Sequence, residues 1–154
     1  MEELYTTWKA IGVAGGDLSF FQDFFVKFYQ AFIEGDRWLQ YLNGVKTTLL
    51  VTALALILGI VLGVLVAMLR TAHDQQRPGH RNPILAVLNL ICKVYVTVIR
   101  GTPMMVQLLI MGFVIFASSR NFTMIGTLTL GINSGAYVSE IVRGGLMSVD
   151  KGQM

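Results

Sequence analysis

The sequence predicts an all-α protein whose helices cross a membrane several times. Hydrophobic residues make up 54% of the chain and charged residues only 14%, whereas a soluble domain usually carries about 25% charged residues. Residues 47–69 carry no charge, and residues 84–117 are largely apolar. A run of about 20 apolar residues is long enough to cross a bilayer. Together these observations predict a polytopic transmembrane fold.

Composition and motifs argue against several other classes of protein. The net charge of +3 is small and spread along the chain, so we expect no nucleic-acid surface. Cys92 has no cysteine or histidine at metal-ligand spacing, and we expect neither a metal nor another cofactor. The first ten residues are acidic at their start and lack the apolar core of a signal peptide. Because the sequence has no phosphate-binding loop, we do not expect it to bind ATP by itself.

Residues 1–43 are predicted to form an extracytoplasmic or interfacial segment with one amphipathic helix. Aromatic and apolar side chains recur at helical spacing in residues 18–34, and Asp23 and Lys27 occupy the other face. These internal charges disfavour a crossing, so we expect the helix to lie in the membrane interface. Packing against neighbouring spans is the alternative. The apolar face comprises Phe20, Phe21, Phe24, Phe25, Phe28, Tyr29, Phe32 and Ile33.

The first predicted span covers about residues 47–69. These 23 residues contain no charge and would extend roughly 35 Å as a helix, enough to cross with some tilt. Small residues recur every four positions in this span and again in residues 127–139, a pattern that lets helices approach closely. The two stripes are Ala55, Gly59, Gly63 and Ala67, and Thr127, Gly131, Gly135 and Ser139. They favour a packed bundle over a single anchor.

Residues 70–83 are predicted to form a polar cytoplasmic loop that contains both histidines. Arg70, Arg77 and Arg81 outnumber Asp74 in this loop, and positively charged loops tend to stay in the cytoplasm. The segment before the first span contains more acidic than basic residues. We therefore expect the N-terminus to lie outside.

The run at 84–117 is too long for one straight crossing. As a single helix it would extend roughly 50 Å, against a hydrocarbon core of about 30 Å, and Pro103 predicts the break. Before the break, polar residues recur at helical spacing up to Arg100, which predicts an interfacial helix over about 84–100 with Arg100 on its watery side. After the break, residues 103–118 are predicted to form the second span.

The third predicted span covers about residues 122–142. Glu140 and Arg143 are three residues apart near its end, a spacing at which they can pair on a helix. Gly144 and Gly145 follow, and the tail after them is polar. With the N-terminus outside, three crossings bring this tail to the cytoplasm.

Two motifs and the first span resemble the membrane subunits of ABC importers for polar amino acids. The motifs are IRGTPMMVQ at 99–107 and GAYVSEIVRGGLMSVDKGQ at 135–153, and the span is GVKTTLLVTALALILGIVLGVLVAMLR from residue 44. The resemblance implies that residues 44–154 are the N-terminal part of a MetI-like permease domain. In that family a coupling helix and two further spans follow the K-G-Q sequence, so the fold is expected to be incomplete.

The resemblance also implies partners and a mechanism. Such permeases form homodimers or heterodimers in the bacterial inner membrane, surrounded by lipid. They assemble with two ATP-binding subunits, which hydrolyse the ATP, and receive an amino acid from an extracytoplasmic binding protein. Alternating access between inward-open and outward-open states then moves the amino acid across the membrane.

The same resemblance implies roles for particular residues. Gly101 and Pro103 would set the bend before the second span, with Arg100 and Thr102 holding it at the inner surface. Polar residues of the third span are candidates to face the substrate or water, although hydrogen bonds between helices are an equally good explanation for them. These candidates are Asn133, Ser134 and Tyr137, and the further motif residues are Gln107, Glu140, Arg143, Gly144, Gly145, Gly152 and Gln153.

Three other functions remain open from the sequence. A secondary transporter usually has ionisable residues in mid-span and inverted repeats, and we find neither. A membrane enzyme needs a cluster of catalytic residues, but the three predicted spans contain no histidine, no aspartate and a single glutamate, Glu140. A truncated permease that inserts without transporting is the third possibility. The function favoured by the sequence is the transmembrane subunit of an ATP-driven amino acid importer.

Overall fold

A computed structural model describes residues 1–76 and 82–148. Regular structure in these two ranges is helical and contains no strand, which confirms the predicted all-α class. The helices are α1 (Glu2–Val13), α2 (Phe20–Phe32), α3 (Arg37–Asp74), α4 (Pro83–Gly101), α5 (Met104–Ile110) and α6 (Phe122–Ser148), with a 3₁₀ turn at Glu34–Asp36 and a π-helical turn at Met111–Ile115. The chain divides into two compact units, Met1–Thr48 and Leu49–Met154.

The first unit contains a helical hairpin made by α1 and α2. The rings of Tyr5 and Tyr29 stack with their centroids 4.3 Å apart, and Trp8 meets Phe25 edge-on at 5.3 Å. α1 has no counterpart among the predicted elements, and it covers one side of the predicted aromatic face. The remaining phenylalanines of α2 stay exposed, namely Phe20, Phe21, Phe24, Phe28 and Phe32. Whether this exposed face lies in the membrane interface stays a prediction.

A tight corner joins α2 to α3. Gly35 has a φ of 66° and Asp36 a φ of 54°, in the left-handed region that glycine adopts without a steric penalty. The Glu34 carboxylate just before this corner accepts a hydrogen bond from the Lys9 ammonium at 2.5 Å. This hydrogen bond lowers the pKa of Glu34 and raises the pKa of Lys9. The corner is therefore tied to α1 by an ion pair.

In the second unit α3 and α6 pack closely along the predicted small-residue stripes. Ala55, Gly59, Gly63 and Ala67 are all buried, as are Gly131, Gly135 and Ser139 of α6. A Cβ added at Gly59 would lie 2.6 Å from Cβ of Ser134, and one added at Gly63 would lie 2.6 Å from Cβ of Val138. Real Cβ atoms do not approach so closely, so these positions require glycine. The predicted helix–helix contact along the stripes is confirmed.

α4 begins with a cap and packs along α6. The Asn82 side chain accepts a hydrogen bond from the Ile84 N–H at 3.0 Å, a typical helix N-cap. Asn89, early in α4, meets His73 in the last turn of α3, and further along Tyr95 donates to the carbonyl of Ile132 at 2.5 Å. α4 therefore contacts both α3 and α6. Whether residues 84–100 form a helix in the membrane interface stays a prediction.

The lengths of the helices differ from several predicted boundaries. Two helical stretches among the described residues are long and apolar enough to cross a membrane: Glu34–Asp74 and α4, which contain 18-residue segments with mean hydropathies of 3.0 and 1.8. α5 and the π-helical turn together cover Met104–Ile115, or about 18 Å. This is short of the core of about 30 Å, so a crossing by residues 103–118 stays a prediction. α6 continues beyond the expected end at 142.

The predicted loop at 70–83 starts too early. Arg70, His73 and Asp74 lie in the last turns of α3, where their side chains contact α4 and α6. These contacts extend the helix beyond the end of the apolar run. The part of the predicted loop at 77–81 lies outside the described residues.

Candidate functional site

The chain breaks between α4 and α5 at the motif Arg100–Gly101–Thr102–Pro103. Thr102 has an extended backbone, with φ −110° and ψ 140°, as expected for a residue before proline. Pro103 then serves as the N-cap of α5. The Thr102 hydroxyl donates to the carbonyl of Val98 at 2.9 Å. The last turn of α4 therefore receives a side-chain hydrogen bond where the helical ladder stops.

Gln107 connects the two sides of this break. Its Nε2 group lies 2.8 Å from the carbonyl oxygen of Ile99, 3.1 Å from that of Thr102, and 2.7 Å from the Thr102 hydroxyl oxygen. Its Oε1 atom accepts a hydrogen bond from Nδ2 of Asn133 at 3.1 Å. One side chain from the resemblance motif thus contacts α4, the break and α6.

The break lies near the middle of the uncharged run of α3. Gly131 of α6 packs against Leu58, the central residue of the 47–69 run. Asn133, which bonds Gln107, is two residues further along α6, or about 3 Å. The polar atoms of the break are therefore at mid-depth of the apolar bundle.

Arg100 is exposed and lies beside α6. Its guanidinium carbon is 5.3 Å from the centroid of the Tyr137 ring, and the next residue of α6, Val138, packs against Gly63 of α3. Gly63 is six residues, or about 9 Å, before the run ends at Leu69. The expected position of Arg100 on the watery side of α4 stays a prediction. No carboxylate among the described residues pairs with Arg100.

Charged side chains link α3 and α6 at the end of the bundle. Arg70 forms an ion pair with Glu140, and Nη2 of Arg143 lies 2.7 Å from Oδ2 of Asp74. The expected pair between Glu140 and Arg143 is only marginal, at 4.0 Å. The stronger partners lie about 70 positions away in the sequence, so the local spacing did not predict them.

The three candidate pathway residues of α6 lie in different surroundings. Asn133 is 9% exposed and hydrogen-bonds Gln107, whereas Tyr137 is 46% exposed beside Arg100. Asn133 and Ser134 help to line a cavity of about 310 Å³, together with Thr52 of α3 and Met104 of α5. Asn133 thus makes a hydrogen bond between helices and also borders a cavity.

The glycines of the second motif lie on an open helix surface. Gly144 and Gly145 are part of α6, and a Cβ added at either would meet no atom within 4 Å among the described residues. Gly152 and Gln153 lie outside the described residues. The structure therefore brings Arg100 to Tyr137 and Gln107 to Asn133, and it leaves the two described glycines of this motif apart from both pairs.

Known proteins similar to this chain are glutamine permeases. No family model matches the sequence. A protein named as the putative glutamine transport system permease GlnP of Rickettsia prowazekii is 37% identical over 115 residues, covering 73% of this chain and 48% of its own length. The Rickettsia typhi counterpart is 35% identical, covering 84% of this chain and 53% of its own length. Glutamine transport system permease protein GlnP of Escherichia coli K12 is 38% identical over 73 residues, 43% of this chain and 32% of that protein.

A solved structure agrees with these relatives. The crystal structure of an amino acid ABC transporter with histidines matches with a TM-score of 0.57 and 32% identity, over 89% of this chain and 55% of that one. The chain belongs to the permease family of amino acid ABC transporters. It spans about half the length of the curated relatives it matches. The predicted family is confirmed.

Sequence reasoning did not find several polar residues of this permease. Tyr95 of α4 reaches the backbone of α6, and Asn89 meets His73. Arg70 and Asp74 are four residues apart, and Glu140 and Arg143 are three residues apart with the opposite order of charge. Such complementary pairs at the ends of two small-residue stripes are a signal that the two helices run in parallel and pair.

Proposed function

We propose that the chain is part of the transmembrane subunit of an ATP-driven amino acid importer and lines part of its translocation pathway. Two polar contacts within an apolar bundle of the permease family carry the proposal, namely Arg100 with Tyr137 and Gln107 with Asn133. Ionisable residues at membrane depth are costly and usually face a water-filled path or a ligand. These polar contacts are therefore best explained by a polar cargo.

Arg100 is suited to contact the carboxylate of an amino acid. Its guanidinium has five N–H donors in a planar fork that can hold a carboxylate with two hydrogen bonds. The ring of Tyr137 supports the cation at 5.3 Å, an arrangement that stabilises a cation by about 0.5–2 kcal/mol. Because no described carboxylate occupies Arg100, a substrate carboxylate can do so. This role differs from the one at the inner surface that the family resemblance implies.

α4 and α5 together form a crossing in this proposal. α4 contacts α6 through Tyr95 and α5 continues beyond the break, so we infer that residues 83–115 make one discontinuous crossing with its break near mid-depth. Discontinuous helices often line substrate sites in transporters, because their free backbone groups can meet a polar ligand. The first and third crossings are α3 and α6.

The partners and location of the protein follow from the same proposal. ATP-binding subunits bind on the cytoplasmic side and hydrolyse ATP, so the permease itself is not an enzyme. An extracytoplasmic binding protein delivers the amino acid, and a second permease subunit completes the path. The subunit spans the bacterial inner membrane with its N-terminus outside.

Uptake measurements test the role of Arg100. The complete gene product would be reconstituted in liposomes with its ATP-binding subunits and binding protein, and ATP-dependent uptake of labelled glutamine would be measured. Hydrogen bonds to charged groups contribute about 1.5–3 kcal/mol, so Arg100→Met should lower kcat/KM about 10- to 150-fold. Lys93→Met is the matched control, because Lys93 is a cation of the same helix that is exposed like Arg100 but has no ring contact among the described residues. It should change uptake by less than about twofold, since an exposed charge contributes at most about 1 kcal/mol.

The outcomes separate the candidate functions. Uptake by Arg100→Met at the rate of the unmodified protein would exclude the carboxylate contact. Uptake that follows an ion gradient without ATP would indicate a secondary transporter. A product that inserts and never transports, with or without its partners, would fit a truncated permease.

A further inference from the structure

We propose that Gln107 is a positioning residue, which replaces a backbone donor missing at Pro103 and holds Asn133 in register with the break. The consequence for transport rests on the proposed function, whereas the hydrogen-bonded arrangement itself does not. Gln107 belongs to the resemblance motif, but the motif by itself gives it no role.

The break leaves two backbone carbonyl groups without their usual helical donors. In a continuous helix the carbonyl of Ile99 would accept from the N–H of residue 103, but proline has no N–H. The carbonyl of Thr102 would accept from the Val106 N–H, which instead donates to Pro103 at 3.0 Å. Both carbonyl oxygens lie within 3.1 Å of Nε2 of Gln107. The two N–H groups of this amide can satisfy both acceptors.

Leaving these carbonyls unpaired would be costly in their apolar surroundings. A cavity of about 230 Å³ beside the break is lined mainly by apolar side chains, among them Val98, Val106 and Ile110. The bond to Ile99 is partly buried and the bond to Thr102 is exposed, so the cost of an unpaired carbonyl, about 1–3 kcal/mol when buried, depends on the surrounding lipid, which offers no replacement donor. The amide of Gln107 is therefore needed for the break to be stable at this depth.

Gln107 also connects the break to α6. Oε1 of Gln107 accepts from Nδ2 of Asn133 at 3.1 Å, which fixes which end of the Asn133 amide points toward α5. Oδ1 of Asn133 has no hydrogen-bond partner among the described residues, and Asn133 borders the cavity of about 310 Å³. Gln107 thus sets the orientation in which Asn133 offers an acceptor to a polar ligand or water.

A double-mutant cycle tests the bond between Gln107 and Asn133. Gln107→Leu, Asn133→Leu and the double variant would be unfolded with SDS in detergent micelles. Hydrogen bonds between membrane helices average about 0.6 kcal/mol, so the cycle should show a coupling of about threefold in the unfolding equilibrium constant. Gln107→Leu should also be the more destabilised single variant, because it loses the contacts to α4 as well. An additive cycle would overturn the proposal.

Two further variants support the cycle. If Gln107→Leu yields no folded protein, Gln107→Asn takes its place, because its amide is one methylene too short to reach both sides. Thr127→Val is the control, since the Thr127 hydroxyl bonds only within its own helix, and it should show no coupling to Asn133→Leu. Coupling of similar size for this control would also refute the proposal.

Uptake kinetics test whether the arrangement positions Asn133 for the substrate. Gln107→Leu and Asn133→Leu should each raise the KM for uptake about threefold to tenfold per assembled transporter, as expected for one lost hydrogen bond of about 0.5–1.5 kcal/mol. The double variant should be no worse than Asn133→Leu. A purely structural role would lower the amount of assembled transporter and leave KM unchanged, which would overturn the positioning role. Failure of the unmodified protein to transport would refute the proposed function, while the unfolding cycle would still decide the bond.

Discussion

Replacing Gly63 with alanine tests how closely α3 approaches α6. A Cβ at this position would lie 2.6 Å from both Cβ and Cγ1 of Val138 and 3.0 Å from the carbonyl oxygen of Gly135. Carbon atoms pack at about 3.5–4.0 Å, so the helices would have to separate locally by about 1 Å. Cβ of Val138 moves only with its backbone, so rotation of the side chain cannot relieve the contact.

The expected cost has two opposing parts. Inserting a methyl group into a tight contact costs about 1–3 kcal/mol, whereas glycine to alanine inside a helix gains up to about 1 kcal/mol. We expect Gly63→Ala to lower the free energy of unfolding by up to about 2 kcal/mol. Gly126→Ala on α6 is the matched control, because a Cβ there meets no described atom within 4 Å. The difference between the two variants isolates the overpacking cost.

Equilibrium unfolding in mixed micelles, followed by circular dichroism, measures this difference. Gly131→Ala provides an intermediate case, because its Cβ would lie 2.6 Å from the movable Cδ2 of Leu58 but 3.0 Å from Cβ of Leu58, which is less close than the 2.6 Å to Cβ of Val138. The expected order of stability is Gly126→Ala, then Gly131→Ala, then Gly63→Ala. Equal stabilities of Gly63→Ala and Gly126→Ala would refute the close approach of the two backbones.

Two further predictions concern the ion pairs. Glu140→Gln should lower the free energy of unfolding by about 2 kcal/mol, because the Arg70–Glu140 pair is partly buried. Breaking a buried pair costs about 3–5 kcal/mol, and breaking an exposed one costs at most about 1 kcal/mol. An unchanged SDS unfolding midpoint would contradict the pair. NMR titration should give Glu34 a pKa below its ordinary value because of the hydrogen bond from Lys9, and Lys9→Met should raise this pKa back toward that value. An unchanged Glu34 pKa in Lys9→Met would show that another group causes the shift.

Local patterns in the sequence were sufficient to predict much of the fold. The uncharged run 47–69 lies within α3, and the small-residue stripes predicted the contact in which Gly59 and Gly63 meet α6. Pro103 predicted the interruption between α4 and α5. These features depend on hydropathy, side-chain size and the missing N–H of proline, and all three can be read from neighbouring residues.

The features that were not predicted depend on distant parts of the chain. α1 pairs with α2 through ring contacts such as Tyr5 with Tyr29, and no local pattern sets the register of two aromatic helices. Arg70 was predicted to start a loop because it follows the apolar run. It lies in α3 instead, where it pairs with Glu140, which is 70 residues away in the sequence. A charged residue ends an apolar run, but it ends a helix only when no other helix supplies a partner.

The position of Arg100 shows why a polar face alone cannot determine the depth of a helix. The spacing of polar residues in α4 is compatible with a helix on the membrane surface and with one that follows a polar path through the bundle. The energetic difference lies in the partners: an arginine at the centre of a span costs about 2.5–3.5 kcal/mol on insertion scales. Contact with the ring of Tyr137 offsets at most about 2 kcal/mol of this cost.

The remaining cost has to be offset by water or by a ligand. An arginine that only stabilised the bend would be better placed at the end of the run, where its side chain reaches headgroups. A permease that carries an anionic group through this bundle, in contrast, needs a cation at this depth, and the same cation is then solvated by the path it lines. On the proposed function the charge within the apolar run belongs to a pathway, and Arg100→Met separates this explanation from a structural one.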